Sequence, residues 1–272
     1  MAYDRELAVA LEAAALASEL ILEHYARFEV IADAPADIST ETDRRSQEII
    51  LGHIHKAFPP DALCAEEKTS GFETVPQAGP RLWIVDPIDG TRGFARKNGE
   101  FSVMVAFVDQ GRVAVGVVLE PALNRLTYAS LGGGCWRRDN ARREPARCQV
   151  TSVADLARAT VTQSHSRNPD QPSRHIKALH PARVIETYSA GIKLAQVARG
   201  EADIYLNTYD ACHDWDIAAG QILVDEAGGL VTNLRGESPR YGLPGSLQHH
   251  GLLGSNGVIH KAALAALQGL QD

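Results

Sequence analysis

The chain has few cysteines: Cys64, Cys135, Cys148 and Cys212 are the only four among 272 residues, and no two stand in a C-x-x-C spacing. No disulfide framework and no zinc site is implied, and reduced thiols in a cytoplasm are expected. No apolar run approaches the roughly twenty residues needed to cross a bilayer. No basic segment with an apolar block and cleavage site opens the chain either, so an unexported, cytoplasmic protein without a membrane partner is expected. A basic stripe is also missing. With 27 Lys and Arg against 34 Asp and Glu, the formal net charge is −7, which argues against a nucleic-acid partner. The short basic group Arg137, Arg138, Arg142 and Arg143 reads as a solvated loop. There is no internal repeat. The triple glycine Gly132-Gly133-Gly134 is followed by no Lys-Ser/Thr, so it reads as a hairpin turn and not as a phosphate loop.

What is present is ordinary globular composition, 44% hydrophobic and 22% charged, long enough for one large or two smaller domains. Apolar residues recur at helical spacing through Leu7, Ala10, Leu11, Ala14, Ala17, Ile21 and Leu22, predicting an amphipathic helix over 4–27. A second is expected over 41–58, stopped by Pro59-Pro60. Strands are expected at 81–85, 101–108, 112–119 and 126–130. From about 157 the pattern becomes strand 159–163, helix 172–179, strand 183–186, helix 192–199, strand 202–206 and helix 215–226, with Gly200 and Gly228-Gly229 as helix stops. The reading is α/β (α+β) with two parts, 1–150 and 151–272, and the polar stretch 137–151 as the boundary.

The acids carry the chemistry. Asp86-Pro87-Ile88-Asp89-Gly90-Thr91 puts two carboxylates, a turn and a hydroxyl directly after a strand. Proline holds Asp86 extended and Gly90 lets the backbone turn and approach a ligand. A plain surface turn fits the same residues. Upstream, Glu66 and Glu67 are adjacent and would repel unless a cation or solvent separated them. Downstream, Asp214-Trp215-Asp216 begins a helix, where acids also serve as caps, and Trp215 reads as a core anchor. Glu66, Asp86, Asp89 and Asp216 together would form an all-oxygen set suited to Mg²⁺ or Mn²⁺. Thr40 to Asp43 fits a helix capping box. His165, His213, His249 and His250 are left out of catalysis.

Glu66-Glu67, then Asp86 to Thr91, then Trp215-Asp216-Ile217-Ala218-Ala219-Gly220 follow one another in the order found in the inositol monophosphatase superfamily, and the chain resembles that family over nearly its whole length. The resemblance implies a layered αβαβα sandwich of the sugar-phosphatase type, with an antiparallel or mixed sheet in the N-terminal half and a smaller one in the C-terminal half. It implies a lithium-sensitive phosphomonoesterase, a homodimer, and two or three Mg²⁺ ions per site, with Mn²⁺ as a substitute. It implies metal ligands at Glu66, Asp86, the Ile88 carbonyl, Asp89 and Asp216, with Asp43, Glu66 and Thr91 around the attacking water. The lysine that many relatives carry shortly before Asp43 is not evident, since 30–38 contains no Lys or Arg.

The substrate expected is a small phosphorylated metabolite. Asn98 to Val103, Ile192-Lys193-Leu194 and Pro239 to Gly242 are similar to the 3′(2′),5′-bisphosphate nucleotidase branch, as is Ser164-His165-Ser166-Arg167. That implies adenosine 3′,5′-bisphosphate as substrate, with Lys193 meeting a second phosphate. Asp89, Gly90, Thr91, Ser164, His165, Ser189, Lys193 and Asp216 are the expected substrate contacts. Gly254 to Gly257 is more similar to inositol monophosphatases, and Asp89 to Phe94 to histidinol-phosphate phosphatases. A regulatory protein- or RNA-binding member with vestigial activity is the alternative outside enzymes.

Overall fold

In the computed structural model, residues 2–35, 37–139, 142–166, 171–243 and 245–270 are described, so Arg167 lies outside the described residues. Two helices open the chain, α1 (Asp4–Arg27) and α2 (Glu41–Ala57). Strands β1 (Ala62–Ala65), β2 (Arg81–Asp89), β3 (Ser102–Asp109), β4 (Arg112–Glu120), β5 (Arg125–Ser130), β6 (Gly134–Asp139) and β7 (Arg142–Arg147) form one seven-stranded sheet in sequence order. Only β1 and β2 pair in parallel; the rest are antiparallel. A short helix, α3 (Thr91–Ala95), follows β2.

The second half contributes β8 (Thr160–Gln163), α4 (Arg174–Leu179), β9 (Arg183–Glu186), α5 (Ala190–Ala198), β10 (Ile204–Asn207), β11 (Ala211–His213), α6 (Asp214–Glu226), β12 (Leu230–Thr232), β13 (Leu247–His249), β14 (Leu252–Ser255) and α7 (His260–Leu267). A five-stranded sheet runs β12-β14-β10-β8-β9, and β11 pairs with β13 apart from it.

Three apolar clusters define five layers. Val103, Val105 and Phe107 on one face of β3 pack with Ala10, Ala14 and Ile21 of α1 and Ile50 and Ile54 of α2. The other face, with Met104, Ala106 and Val108, packs on Leu194 and Val197 of α5 and on Ile217, Ile222 and Leu223 of α6, which also meet Tyr205, Val231 and Leu252 of the smaller sheet. Ile176, Leu179, Ala263 and Leu267 of α4 and α7 cover that sheet's far side with Val161, Ile204 and Leu253. Because both faces of the large sheet are covered, its strands read as continuous apolar runs without polar alternation. Gly116 lets α6 lie against β4, since a Cβ there would stand 2.4 Å from the Ala219 carbonyl oxygen.

The layered α+β class stands as expected, and the glycine triplet lies at the β5–β6 turn. The basic group 137–143 differs from its expected loop: Arg137 and Arg138 lie in β6 and Arg142 begins β7. This hairpin closes the sheet's edge, where charged side chains discourage further strand pairing. Arg137 pairs with Asp139 (2.6 Å) and Glu201 (2.9 Å). The helix expected from 172 starts at Arg174, capped by the Ser173 hydroxyl. No helix among the described residues is long and apolar enough to cross a membrane.

A charge network ties the layers together. Glu120, fully buried at the end of β4, accepts from Arg125 (2.8 Å) and from Arg199 (2.9 Å) just past α5, and Arg199 also pairs with Glu201 (2.8 Å). Removing one charge from such a network leaves its partners buried and under-compensated. Glu120→Gln is expected to lower stability by about 3 kcal/mol, read as a lower urea midpoint at unchanged slope. An unchanged midpoint would show that the network contributes no net stability.

Candidate metal centre

Asp86 and Asp89 are three residues apart, so in a regular strand their side chains would point to opposite faces. The ladder between β2 and β3 shifts between them: Asp86 pairs with Met104, but Asp89 pairs with Ser102, so one extra residue is accommodated on β2. That bulge, between Asp86 and Asp89, re-aims one carboxylate and brings both to one cavity. The expected turn is thus a bulged strand end, and the reversal comes one residue later. Gly90 has φ 88°, and a Cβ there would lie 2.7 Å from the Glu100 carbonyl oxygen, so a side chain is excluded on both counts.

Asp89 also reaches across to the other half of the chain. It accepts from the backbone N–H of Ala190 (3.1 Å) and Gly191 (2.7 Å), and from the Ser189 hydroxyl. It therefore sits on the N-terminus of α5, whose exposed N–H groups and dipole favour an anion. Ser189 completes the cap by accepting from the Ile192 N–H (2.9 Å). Asp216, in the first turn of α6, accepts from the His213 N–H (2.6 Å). One carboxylate oxygen from each of Asp86, Asp89 and Asp216 lies within 4.8 Å of the others.

These three line a cavity of about 430 Å³ with Glu66, Ile88, Gly90, Thr91, Ser164 and Lys193. The expected residues Asp43, Ser189 and His165 stand outside its lining. Asp43 is fully buried: it accepts from the Thr91 hydroxyl (2.9 Å) and closes the α2 capping box by accepting from the Thr40 N–H (2.9 Å). The two readings of Asp43 are therefore compatible. His165 pairs with Glu100 (2.6 Å) and packs against Tyr188. Glu67 turns away, accepting from Ser39 (2.5 Å). Trp215 packs on the central core and stacks on His213 at 4.2 Å between ring centres. The cavity is also lined by His213 and by residues that sequence reasoning did not assign, among them Arg92, Tyr188, Tyr205, Asn207, Tyr209 and Cys212. The only signal among them was Arg92, immediately after the Asp-Gly-Thr turn.

Burial and mutual repulsion raise three of these acids, Glu66, Asp86 and Asp216. Burial, then the charge of Asp216, pushes Glu66 up to about 8; although Glu66 opens to solvent at the mouth, protein surrounds it on its other sides. Burial also pushes Asp216 up to about 7 and Asp86, which is hydrogen-bonded to Glu66, well above the usual range. Carboxylates gathered in this way fit hard dications, whose charge would remove the repulsion.

A model of the inositol monophosphatase family matches residues 3–272. The chain belongs to the inositol monophosphatase family. A Thermotoga maritima fructose-1,6-bisphosphatase/inositol-1-monophosphatase is 34% identical over 250 residues, 89% of this chain and 87% of that protein. A Chlorobaculum parvum histidinol-phosphatase is 30% identical, covering 96% of each chain. A solved Thermotoga maritima IMPase superposes with a TM-score of 0.79 at 31% identity, covering 97% of this chain and 96% of that one. Members of the inositol monophosphatase family are phosphatases and in general Mg²⁺-dependent, in keeping with the acidic cluster here.

A linkage prediction follows from the raised acids. Their folded-state values lie above the unfolded value of about 4, so without a cation the folded state binds more protons and loses stability as pH rises from about 5 to 8. Mg²⁺ competes with those protons. Its stabilisation, measured as a rise in Tm, is expected to be larger at pH 8 than at pH 6; equal shifts would rule out metal binding at these acids.

Proposed function

We propose that the protein is a Mg²⁺-dependent phosphomonoesterase in which Glu66, Asp86, the Ile88 carbonyl, Asp89 and Asp216 hold the metal ions and water attacks a small phosphorylated metabolite. The observation that carries this reading is the meeting of Asp86, Asp89 and Asp216 from both halves of the chain in one cavity with Glu66. The bound ions would supply a water of lowered pKa and positive charge for the phosphoryl oxygens.

The chain's own residues supply orientation. Thr91 has one hydroxyl proton and two acceptors in reach, Asp43 (2.9 Å) and the Ile88 carbonyl (3.0 Å). Its lone pairs are left to accept from a water in the cavity, and Asp43 fixes the direction of that hydroxyl. Gly90, Ser164 and Asp216 line the space around the ester, while Ser189 acts through Asp89. Among substrates, adenosine 3′,5′-bisphosphate ranks first because the guanidinium of Arg92 lines the cavity beside the acids, cationic charge beyond what one phosphate on dications requires. Inositol 1-phosphate, histidinol phosphate and fructose 1,6-bisphosphate are the competing substrates.

Phosphate release with Mg²⁺ across these four esters decides the order by kcat/KM, and no release from any of them would overturn the reading. Thr91→Val keeps the side chain's shape and removes its hydroxyl. It is expected to lower kcat by about 10²- to 10⁴-fold while the Mg²⁺-dependent rise in Tm persists; near-normal turnover would remove Thr91 from the mechanism.

A further inference from the structure

The two cations that line the cavity are not equivalent. The Lys193 ammonium carries three N–H donors, and the structure gives it three neutral acceptors: Ser164 Oγ (3.2 Å), the Thr187 carbonyl (2.9 Å) and the Tyr188 carbonyl (3.0 Å). At 1% exposure it is fixed inside the wall, with no donor to spare. The second-phosphate contact expected of Lys193 therefore has no hydrogen bond left to make.

Arg92 is in the opposite condition. It is the second residue of α3, next to Thr91, and is half-buried. Its Nε donates to the Ala34 carbonyl (3.1 Å), and its guanidinium carbon lies 5.3 Å from the centre of the Tyr188 ring. That ring is itself held, because Arg96 donates to the Tyr188 hydroxyl and the Tyr188 N–H donates to Glu100 (3.3 Å). Among the described residues Arg92 has no carboxylate within ion-pair distance, and its remaining donors have no protein partner. An arginine whose plane is fixed by one hydrogen bond and a ring, and whose fork is free, is preorganised for a bidentate oxyanion. Asp37, Ile38 and Ser39 line the cavity with it, and 30–38 supplies no other base.

We propose that Arg92 is the specificity-determining residue of this cavity, binding a second anionic group of the substrate, a phosphate on the same small molecule as the ester being cleaved. This rests on the phosphomonoesterase reading and names the residue that selects within it. Lys193 is a positioning residue for the segment that carries Tyr188 and Ser189.

The test uses substrate pairs that share a skeleton and differ by one phosphate: adenosine 3′,5′-bisphosphate against adenosine 3′-phosphate, and fructose 1,6-bisphosphate against fructose 1-phosphate. The full-length wild type, Arg92→Met and Arg92→Lys are assayed with Mg²⁺. In Arg92→Met the ratio of kcat/KM for bisphosphate over monophosphate is expected to fall about 10- to 100-fold, mainly through KM, with Arg92→Lys intermediate. Whichever pair shows the fall identifies the skeleton that brings the second phosphate to Arg92. The ratio is insensitive to partial unfolding, because both substrates report the same active fraction. Proportional loss on both members of both pairs would place Arg92 on the reacting phosphate or in the scaffold and overturn the assignment. A wild type inactive on every ester would instead remove the phosphatase reading, and this inference with it.

Discussion

The seat of Asp89 on the N-terminus of α5 is the constraint that the rest of the molecule serves. One carboxylate ends a strand of the large sheet, accepts from the Ala190 and Gly191 N–H groups of the second half, and contributes an oxygen to the acidic cluster. Two N–H groups and the hydroxyls of Ser189 and Ser102 hold it, so it is aimed before any ligand arrives. The layers must be stacked closely for this contact to form. A Cβ on Gly191 would stand 2.7 Å from the Met104 sulfur, and one on Gly220 would stand 2.4 Å from a Leu194 methyl. Small residues at the α5–α6 layer therefore set the distance at which β2 and α6 can share a site.

The arrangement collects like charges where water is scarce, and this is unfavourable for folding alone. Asp86 is 2% exposed and Asp89 7%, and both face Asp216. The offset lies elsewhere, in the apolar clusters on both faces of the large sheet, while the Glu120–Arg199–Glu201 network sits at the opposite end of α5. One helix thus has an anion at each end, but for different reasons. Asp89 at its start answers the helix N–H groups and belongs to the site, whereas Glu120 answers an arginine and belongs to the frame.

Much of this was legible in the sequence. The heptad-like spacing from Leu7 to Leu22 and the β-branched run of 101–119 gave α1, β3 and β4, because burial against one neighbour leaves a period in the residues. The acids were found because their type and order are unusual. The pairs β11–β13 and β12–β14 were not found, since three- and four-residue strands such as Leu230–Thr232 and Leu247–His249 are too short to carry a period and form only through partners distant in sequence. α7 was missed in the same region. The bulge between Asp86 and Asp89 was also hidden: Pro87 marks a disturbed strand, but which face each acid takes depends on the register against β3. Lys193 shows the same limit. Its charge was visible, and the three neutral oxygen atoms that occupy it were not, because they come from Ser164 and from the carbonyls of Thr187 and Tyr188.

The treatment of Lys193 also explains how the cavity tolerates its own charge. Burial lowers this lysine to about 8, while Asp89, Glu100 and Asp216 act in the opposite direction and hold its proton. Among the described residues no carboxylate lies within ion-pair reach of the lysine, so its counter-charge, Asp89 first and then Glu100 and Asp216, acts on it from a distance. A direct ion pair would have consumed a carboxylate oxygen that the site needs. Bonding the ammonium to neutral oxygens keeps its charge beside the cluster and leaves every acid oxygen to its own task.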